Sequence, residues 1–562
     1  MDGTVPEALT SLFQAAITLA VNLDHVVFGL YLLAVLTVGL LASRREKGSD
    51  DYFLASRNLT WWVIGGSLIA ANISTHHFIG MSGQGFTVGL AIASYEWMAA
   101  LALILYGKFF LPYYLKTRIT TMPEFLERRF DHRVRLAFAI ISLIGYILIE
   151  LAVVLYTGSL AIESIFGLPL GWGLALLCLI GGGYTIWGGL KSVAYTDIIQ
   201  VTVLIVGGLV VTALGLIKLG QASPAHGATI WGGFESVLAS APEKFHMIQP
   251  WNHPDLSWIG VFFGGLWLAN IFYWGCNQFI TQRTLAARNV WHGQMGVVFA
   301  GFLKLLVPFL VVLPGIVAYQ LYDPAVGLLK EEAILQKGDL AFPTLVKHLL
   351  PAGFTGLVMA GLMGAVMSTI ASLLTSSSSI FTFDLYKRYI KPDAAGRELV
   401  RVGRTVTLAV LLVGTIFGWF LRDLTAIFTY IQRYWSIAYP SICAVFLAGF
   451  FYRRANARGS LTVLIAGPIW ASLFTAAEGQ AWFPAWLELP FLVRAGIDFV
   501  FCGVLIWVMK TPADRVPESA TVDRSFPPDA VRLMETIPWW RSFGLWATVL
   551  VLCVVGLYVR FL

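Results

Sequence analysis

Lys304 stands in FLKLLVPF, flanked on both sides by apolar residues. Glu96 in SYEWM, Glu150 in LIELA and Asp197 in AYTDIIQ are set the same way with the opposite sign. A charge at the centre of a membrane helix costs at least about 2.5–3.5 kcal/mol, so such residues mark functional sites unless they pair only for packing. Lys108, at a helix end, is read as snorkelling to the interface instead.

A second pattern lies in GAVMSTIASLLTSSSSIFTFD. Ala365, Ser368, Thr369, Ser372 and Ser376 recur at helical i, i+3, i+4 spacing and share one face. Hydroxyls there can bond back to carbonyls four residues earlier, or can face a sodium ion, a hard cation that takes neutral oxygens. The stretch GGSLIAANISTHHFIGMSGQG is polar and glycine-rich where a lipid-facing helix would be apolar. It is expected to break where it lines a cavity, freeing carbonyls near Ala70 and Ile73 for the same ion. FFGGLWLANIFYWGCNQ carries the same glycines and asparagines five spans later. Paired interruptions at corresponding places point to the central site of a transporter, although internal bundle helices also carry small residues at their contacts. His76 and His77 are adjacent and so project about 100° apart on a helix. No nucleophile–base pair or metal cluster accompanies them, and no enzyme activity is expected.

These residues need helices to position them. The chain has 562 residues, 57% of them hydrophobic and only 12% charged, half the charge of a soluble domain. That composition makes it an integral membrane protein, and its long apolar stretches make it all-α. The net charge of +6 is spread without a basic block, so no nucleic-acid partner is expected. Five single cysteines in apolar runs form no disulfide or zinc framework. No phosphate-binding GxxxxGK[ST] occurs, which argues against an ATP-driven pump. Met1 to Asp24 lacks Lys and Arg, so no signal peptide is expected there.

Apolar stretches long enough to cross a bilayer lie near 25–43, 60–82, 86–112, 134–160, 167–187, 193–217 and 257–282. Seven more lie near 293–320, 346–386, 402–421, 424–452, 459–476, 488–509 and 542–560, the ninth (346–386) being too long for one crossing and so expected to run on as an amphipathic helix. With these fourteen spans and both termini outside, 27 of the 38 Lys and Arg fall in inner loops and eight in outer ones, Arg283 and Arg288 being counted inside. That asymmetry satisfies the positive-inside rule. Outer segments 218–256 and 321–345 read as short caps, and 511–541 as a polar, Pro-rich linker. The expected partners are the bilayer, an ion and a small solute, with no obligatory protein partner.

At these same residues the chain resembles the sodium/solute symporter family, and within it the sodium/glucose and sodium/galactose cotransporters. The stretches that carry the resemblance are DYFLASRNLTWW (51–62), SLIAANIS (67–74), SYEWM (94–98), TMPEFLERRF (121–130), YTIWGGLKS (184–192) and TDIIQ (196–200). Further on come WGCNQFITQRTLAA (274–287), FLKLLVPFLVVLPG (302–315), ASLLTSSSSIFTFDLYK (371–387) and YIQ (430–432). The resemblance implies a leucine-transporter-type fold of two inverted five-helix repeats, over about 60–217 and 257–452. One extra helix (25–43) precedes this core and three (459–560) follow it.

The resemblance also implies roles. Sodium would meet the carbonyls of Ala70, Ile73 and Ala365 and the hydroxyls of Ser368 and Thr369. A sugar would contact Asn72, His77, Glu96, Asn270, Lys304 and Gln432, with Tyr273, backed by Trp274, stacking on its ring as an inner gate. Met81, Tyr95 and Phe428 would form the outer lid. His77 is a departure, being Gln in a bacterial galactose relative and His in animal glucose transporters, so the identity of the sugar stays open. Family members that bind two sodium ions carry a hydroxyl where this chain has Ala371, which favours one coupled ion, with Asp197 helping it leave inward. The expected activity is sodium-coupled import of a glucose- or galactose-like hexose across the plasma membrane by alternating access. The alternatives are another small polar solute such as myo-inositol, or a transporter-like solute sensor. Glu150 and Arg433 receive no role.

Overall fold

The computed structural model describes residues 7–43, 49–223, 227–322, 338–422 and 427–562, apart from several positions between 479 and 487 and between 517 and 534. Much of the expected outer cap over 321–345 and of the linker over 511–541 therefore lies outside the described residues. The described chain is helical throughout, with only two isolated bridges of β type, Leu59 to Ala287 and Gln249 to Ser257.

In chain order the helices that matter are α1 (Glu7–Ser43), α2 (Trp61–Asn72), α3 (Ser94–Leu105), α4 (His132–Ile144), α5 (Ala152–Phe166) and α6 (Leu170–Ala222). They continue as α7 (Gly265–Ile271), α8 (Gln278–Leu285), α9 (Val290–Tyr322), α10 (Phe354–Ile380), α11 (Arg397–Phe420), α12 (Ile427–Phe451), α13 (Ala457–Ala477), α14 (Phe491–Val508) and α15 (Phe543–Arg560). Among the described residues, twelve helical segments are long and apolar enough to cross a membrane. The second and fifth expected spans are not among them, each for a local reason. The second is broken after Asn72, and the fifth is an apolar helix of Leu170–Gly183, too short by the same criterion. It joins the sixth span through Gly189, whose φ of +53° only glycine adopts easily; a Cβ there would meet the Tyr52 carbonyl at 2.5 Å.

The second span starts as α2, turns extended at Ile73 (ψ 117°), and resumes through a π turn, His77–Met81, into Ser82–Thr87. The seventh breaks twice, at Phe263–Gly264 and again at Asn277 (ψ 121°), so that α7 and α8 meet at an angle across Phe272–Cys276. Both interruptions fall where glycine and asparagine crowd the sequence. They are stable because the broken backbone is buried in protein rather than in lipid. The ninth span runs on past its apolar part, from α10 through a π-helical stretch to Ile390, as its length requires.

These pieces assemble around α9 and α10. Helix α9 packs on α2, α3 and the second half of the second span (Ser82–Thr87); α10 packs on α6, α1 and α11. That second half lies so close to α9 that a Cβ at Gly85 would stand 2.4 Å from the Val312 carbonyl, and one at Gly315 1.9 Å from that of Ser82. At the opposite end Leu59 N–H donates to the Ala286 carbonyl (3.0 Å) and Arg288 N–H to that of Leu59 (3.0 Å). The same ends of the two interrupted spans are thus tied by backbone.

Candidate transport site

The site is built where the two interruptions face each other. Lys304 lies on α9 four residues before Pro308, whose missing N–H leaves the Lys304 carbonyl without its helical partner and loosens the helix there. Its ammonium donates to Glu96 Oε2 on α3 and to Asn72 Oδ1 at the end of α2, and sits 5.3 Å from the centre of the Trp274 ring. All of this is buried, Lys304 being 1% and Glu96 3% exposed. Asn72 passes the chain of bonds on, its amide donating to the Tyr273 hydroxyl at 3.0 Å. One lysine therefore links the second, third, seventh and eighth spans.

His77 completes this cluster. Its Nδ1 accepts from Ser74 N–H at 3.3 Å, which leaves the Nε2 proton to face Glu96 Oε1 at 3.6 Å. Residues Asn72, His77, Glu96, Asn270, Tyr273, Trp274, Lys304 and Gln432 all line one internal cavity. Asn270 bonds its amide back to the Leu266 carbonyl (3.0 Å), leaving its oxygen for a ligand. Of the expected lid, Tyr95 and Phe428 line the cavity and meet edge-to-face at 5.1 Å. Met81 is fully buried in the adjoining π turn and is not among the lining residues. On the other side Tyr273 is wedged edge-on between Trp274 (5.2 Å) and Phe279 (5.5 Å). Aromatic rings thus flank the cavity at both ends.

The hydroxyl stripe lies beside it. Thr369 Oγ1 reaches across from α10 to the Ala71 carbonyl at 3.1 Å while holding that of Ala365 at 3.0 Å. The break brings the end of α2 to α10, as the spacing requires. Because Ser74 N–H turns to His77, it no longer serves the Ala70 carbonyl four residues back. Ser368 donates to Asp197 Oδ1 at 2.5 Å. Ala70, Ile73, Ala365, Ser368 and Thr369 are all buried at this junction. Neutral carbonyl and hydroxyl oxygens, with one carboxylate a bond away, form a donor set suited to a monovalent hard cation.

A model of the sodium:solute symporter family matches residues 52–467. The chain belongs to that family. Within it, the chain is 44% identical over 462 residues to a sodium/glucose cotransporter of Vibrio parahaemolyticus, covering 79% of this chain and 83% of that one. It is 35% identical over 463 residues to the sodium/myo-inositol cotransporter 2 of Mus musculus, covering 79% and 68%. A sodium-coupled sialic acid symporter in a substrate-bound outward-open state matches the fold with a TM-score of 0.76 at 23% identity, over 87% of this chain and 97% of that one. This symporter is accordingly a multi-pass membrane protein of the leucine-transporter type, a sodium-coupled transporter and not an enzyme.

Several site residues escaped the sequence. Glu150, left without a role, lines the same cavity from a π turn, Gly145–Leu151, and accepts from Trp435 Nε1 at 2.5 Å. His76 also lines the cavity, with its ring Nδ1 held by the Ser74 hydroxyl. Tyr146 pins the break at Asn277, donating to its side chain and accepting Gln278 N–H at 2.9 Å. Arg283, counted with the inner loops, is instead fully buried and ion-paired to Asp197 at 3.1 Å. Arg433 pairs at the surface with Asp255 at 3.2 Å. Only the π turn under Glu150 had a visible signal, a carboxylate in an apolar run.

Proposed function

We propose that this symporter couples the entry of sodium to the import of a neutral hexose by alternating access. The observation that carries the reading is the buried Lys304–Glu96–Asn72 cluster beside the Tyr273 ring. It sets an ammonium, a carboxylate and amides around a cavity with one aromatic wall. A pyranose presents hydroxyls at its rim, which need both donors and acceptors, and an apolar face, which stacks on an aromatic ring. Sodium binds at Ala70, Ile73, Ala365, Ser368 and Thr369. By bridging the broken second span to α10 it orders the outward-facing form and raises affinity for the sugar, a coupling that is reciprocal. Tyr95, Met81 and Phe428 close above the sugar, Tyr273 and Trp274 below it, and Asp197 takes part in ion release.

The repeats that move extend over about 60–217 and 257–452. The protein sits in the cell membrane with both termini outside. In support of that orientation, the ends of the spans expected inside hold a dense basic network, with Arg57 donating to the Leu285, Arg118 and Ile119 carbonyls and Arg135 to Asp384. A ring-stacking cavity of this kind also accepts a cyclic polyol, and a myo-inositol cotransporter is among the relatives. Uptake of radiolabelled glucose, galactose and myo-inositol into proteoliposomes, with and without a sodium gradient, separates these readings. Uptake of equal size without sodium would sink the coupling, and binding without any concentrative uptake would make the protein a sensor.

A further inference from the structure

Arg283 lies on α8, the half-helix that follows the break at Asn277, and is fully buried. Its guanidinium reaches four elements at once. Nη2 donates to Asp197 Oδ2 on α6 at 3.1 Å and to the Ser372 hydroxyl on α10. Nε donates to the Ser67 hydroxyl (2.6 Å) and carbonyl (3.0 Å) on α2, and Nη1 to the Phe279 carbonyl on its own helix (2.6 Å). Ser67 closes the ring by donating to the same Asp197 oxygen. The other oxygen of Asp197 takes the hydroxyl of Ser368, a proposed sodium ligand.

Two cations therefore depend on one buried carboxylate. With the ion absent, Asp197 and Arg283 neutralise each other. With a sodium ion on Ser368 and Thr369, one bond from Asp197, the network carries a net positive charge in a medium that screens it poorly. The ion can move onto Asp197 itself only as the guanidinium gives up its share. Losing that share releases a side chain that bonds α8 to α2, α6 and α10 at once. The bonds of Arg283 and the backbone ties at Leu59 hold the same end of the seventh span.

We propose that Arg283 is a tethered counter-cation that competes with sodium for Asp197, so that ion release and the inward swing of α8 are one event. This rests on the sodium reading given above and adds to it the residue through which the ion acts on the inner gate. Arg283 is thereby a positioning residue, acting through Asp197, with no contact to the solute.

The test is sodium titration of uptake, together with solute-free efflux of radioactive sodium, for R283Q, R283K and the charge-balanced R283Q/D197N in proteoliposomes. Removing the competitor should tighten apparent sodium affinity in R283Q by about tenfold, within the usual range of site-to-site coupling, and slow turnover because the ion is retained. R283K should fall between R283Q and the parent. R283Q/D197N, which leaves no unpaired buried charge, should bind sodium more weakly than R283Q. A merely structural pin would lower yield or maximal rate and leave the sodium dependence where it was. Unchanged half-saturation in both R283Q and R283K, while Ser368→Ala abolishes sodium dependence, would overturn the proposal and spare the sodium site. A parent protein without sodium dependence would overturn both.

Discussion

Lys304 and Glu96 are 208 residues apart in sequence and meet as a buried ion pair on the wall of the central cavity. A buried pair is weak evidence for stability, since desolvation offsets most of the Coulombic gain. In the function proposed above the pair serves ligand recognition. The pair also shares Asn72 and the Trp274 face, so its geometry is set by two further groups.

Lys304→Met strands the Glu96 carboxylate, and breaking a buried pair in this way costs about 3–5 kcal/mol. The double variant K304M/E96Q leaves no lone charge and should recover most of that stability, read as thermal unfolding in detergent. Neither variant should concentrate solute. Uptake by the double variant would show that the pair serves packing alone.

Tyr273 gives two separable contributions. Tyr273→Phe removes the bond from Asn72 but keeps the ring, and should raise the KM for solute only a few-fold. Tyr273→Ala also removes the stacking surface, worth about 0.5–1.5 kcal/mol beyond area burial, so its KM should rise further by about 2–12-fold. Equal effects of the two substitutions would assign the role to the hydroxyl and not to the ring.

Much of this arrangement was legible in the sequence because the bilayer constrains it so strongly. Apolar runs mark helices, and glycine with asparagine inside such runs marks the places where Ile73 and Asn277 leave the helix. The stripe from Ala365 to Ser376 was legible because helical spacing alone puts Thr369 and Ala365 on one face. Long-range partners were not. Glu150 depends on Trp435, 285 residues away, and nothing local to either announces the other. Arg283 was misplaced for a related reason. Counting basic residues after a span assumes that the span is one straight crossing, whereas α8 turns the last part of the seventh span back into the core.

The bond from Trp435 is the one hydrogen bond described for the Glu150 side chain. Trp435→Phe keeps the packing on Phe272 (4.9 Å between rings) but leaves a buried carboxylate without its donor. Such a loss costs about 1–3 kcal/mol. Glu150→Gln in the same background should recover part of it, because a neutral amide is less costly to bury than a carboxylate. Additive losses in a double-mutant cycle of thermal stability would argue that the bond contributes nothing.

Gly315 tests the close approach of the second span to α9. A methyl group there would lie 1.9 Å from the Ser82 carbonyl and 2.9 Å from Phe86 N. Neither is a flexible side-chain end, so the two helices must part. Overpacking of this kind costs about 1–3 kcal/mol or more. Because α9 also carries Lys304, eleven residues along the same helix, the displacement should weaken solute binding as well as lower the unfolding temperature. Gly183 is the control: it is helical too, and a Cβ added to it would meet nothing within 4 Å. Gly183→Ala should be neutral or stabilising by up to about 1 kcal/mol, the difference in helix propensity. If both alanine variants unfold at the parent's temperature and bind solute alike, the helices are not in the contact described. A loss confined to Gly315→Ala, in binding and in unfolding together, would show that the second half of the broken span and the lysine of the site move as one body.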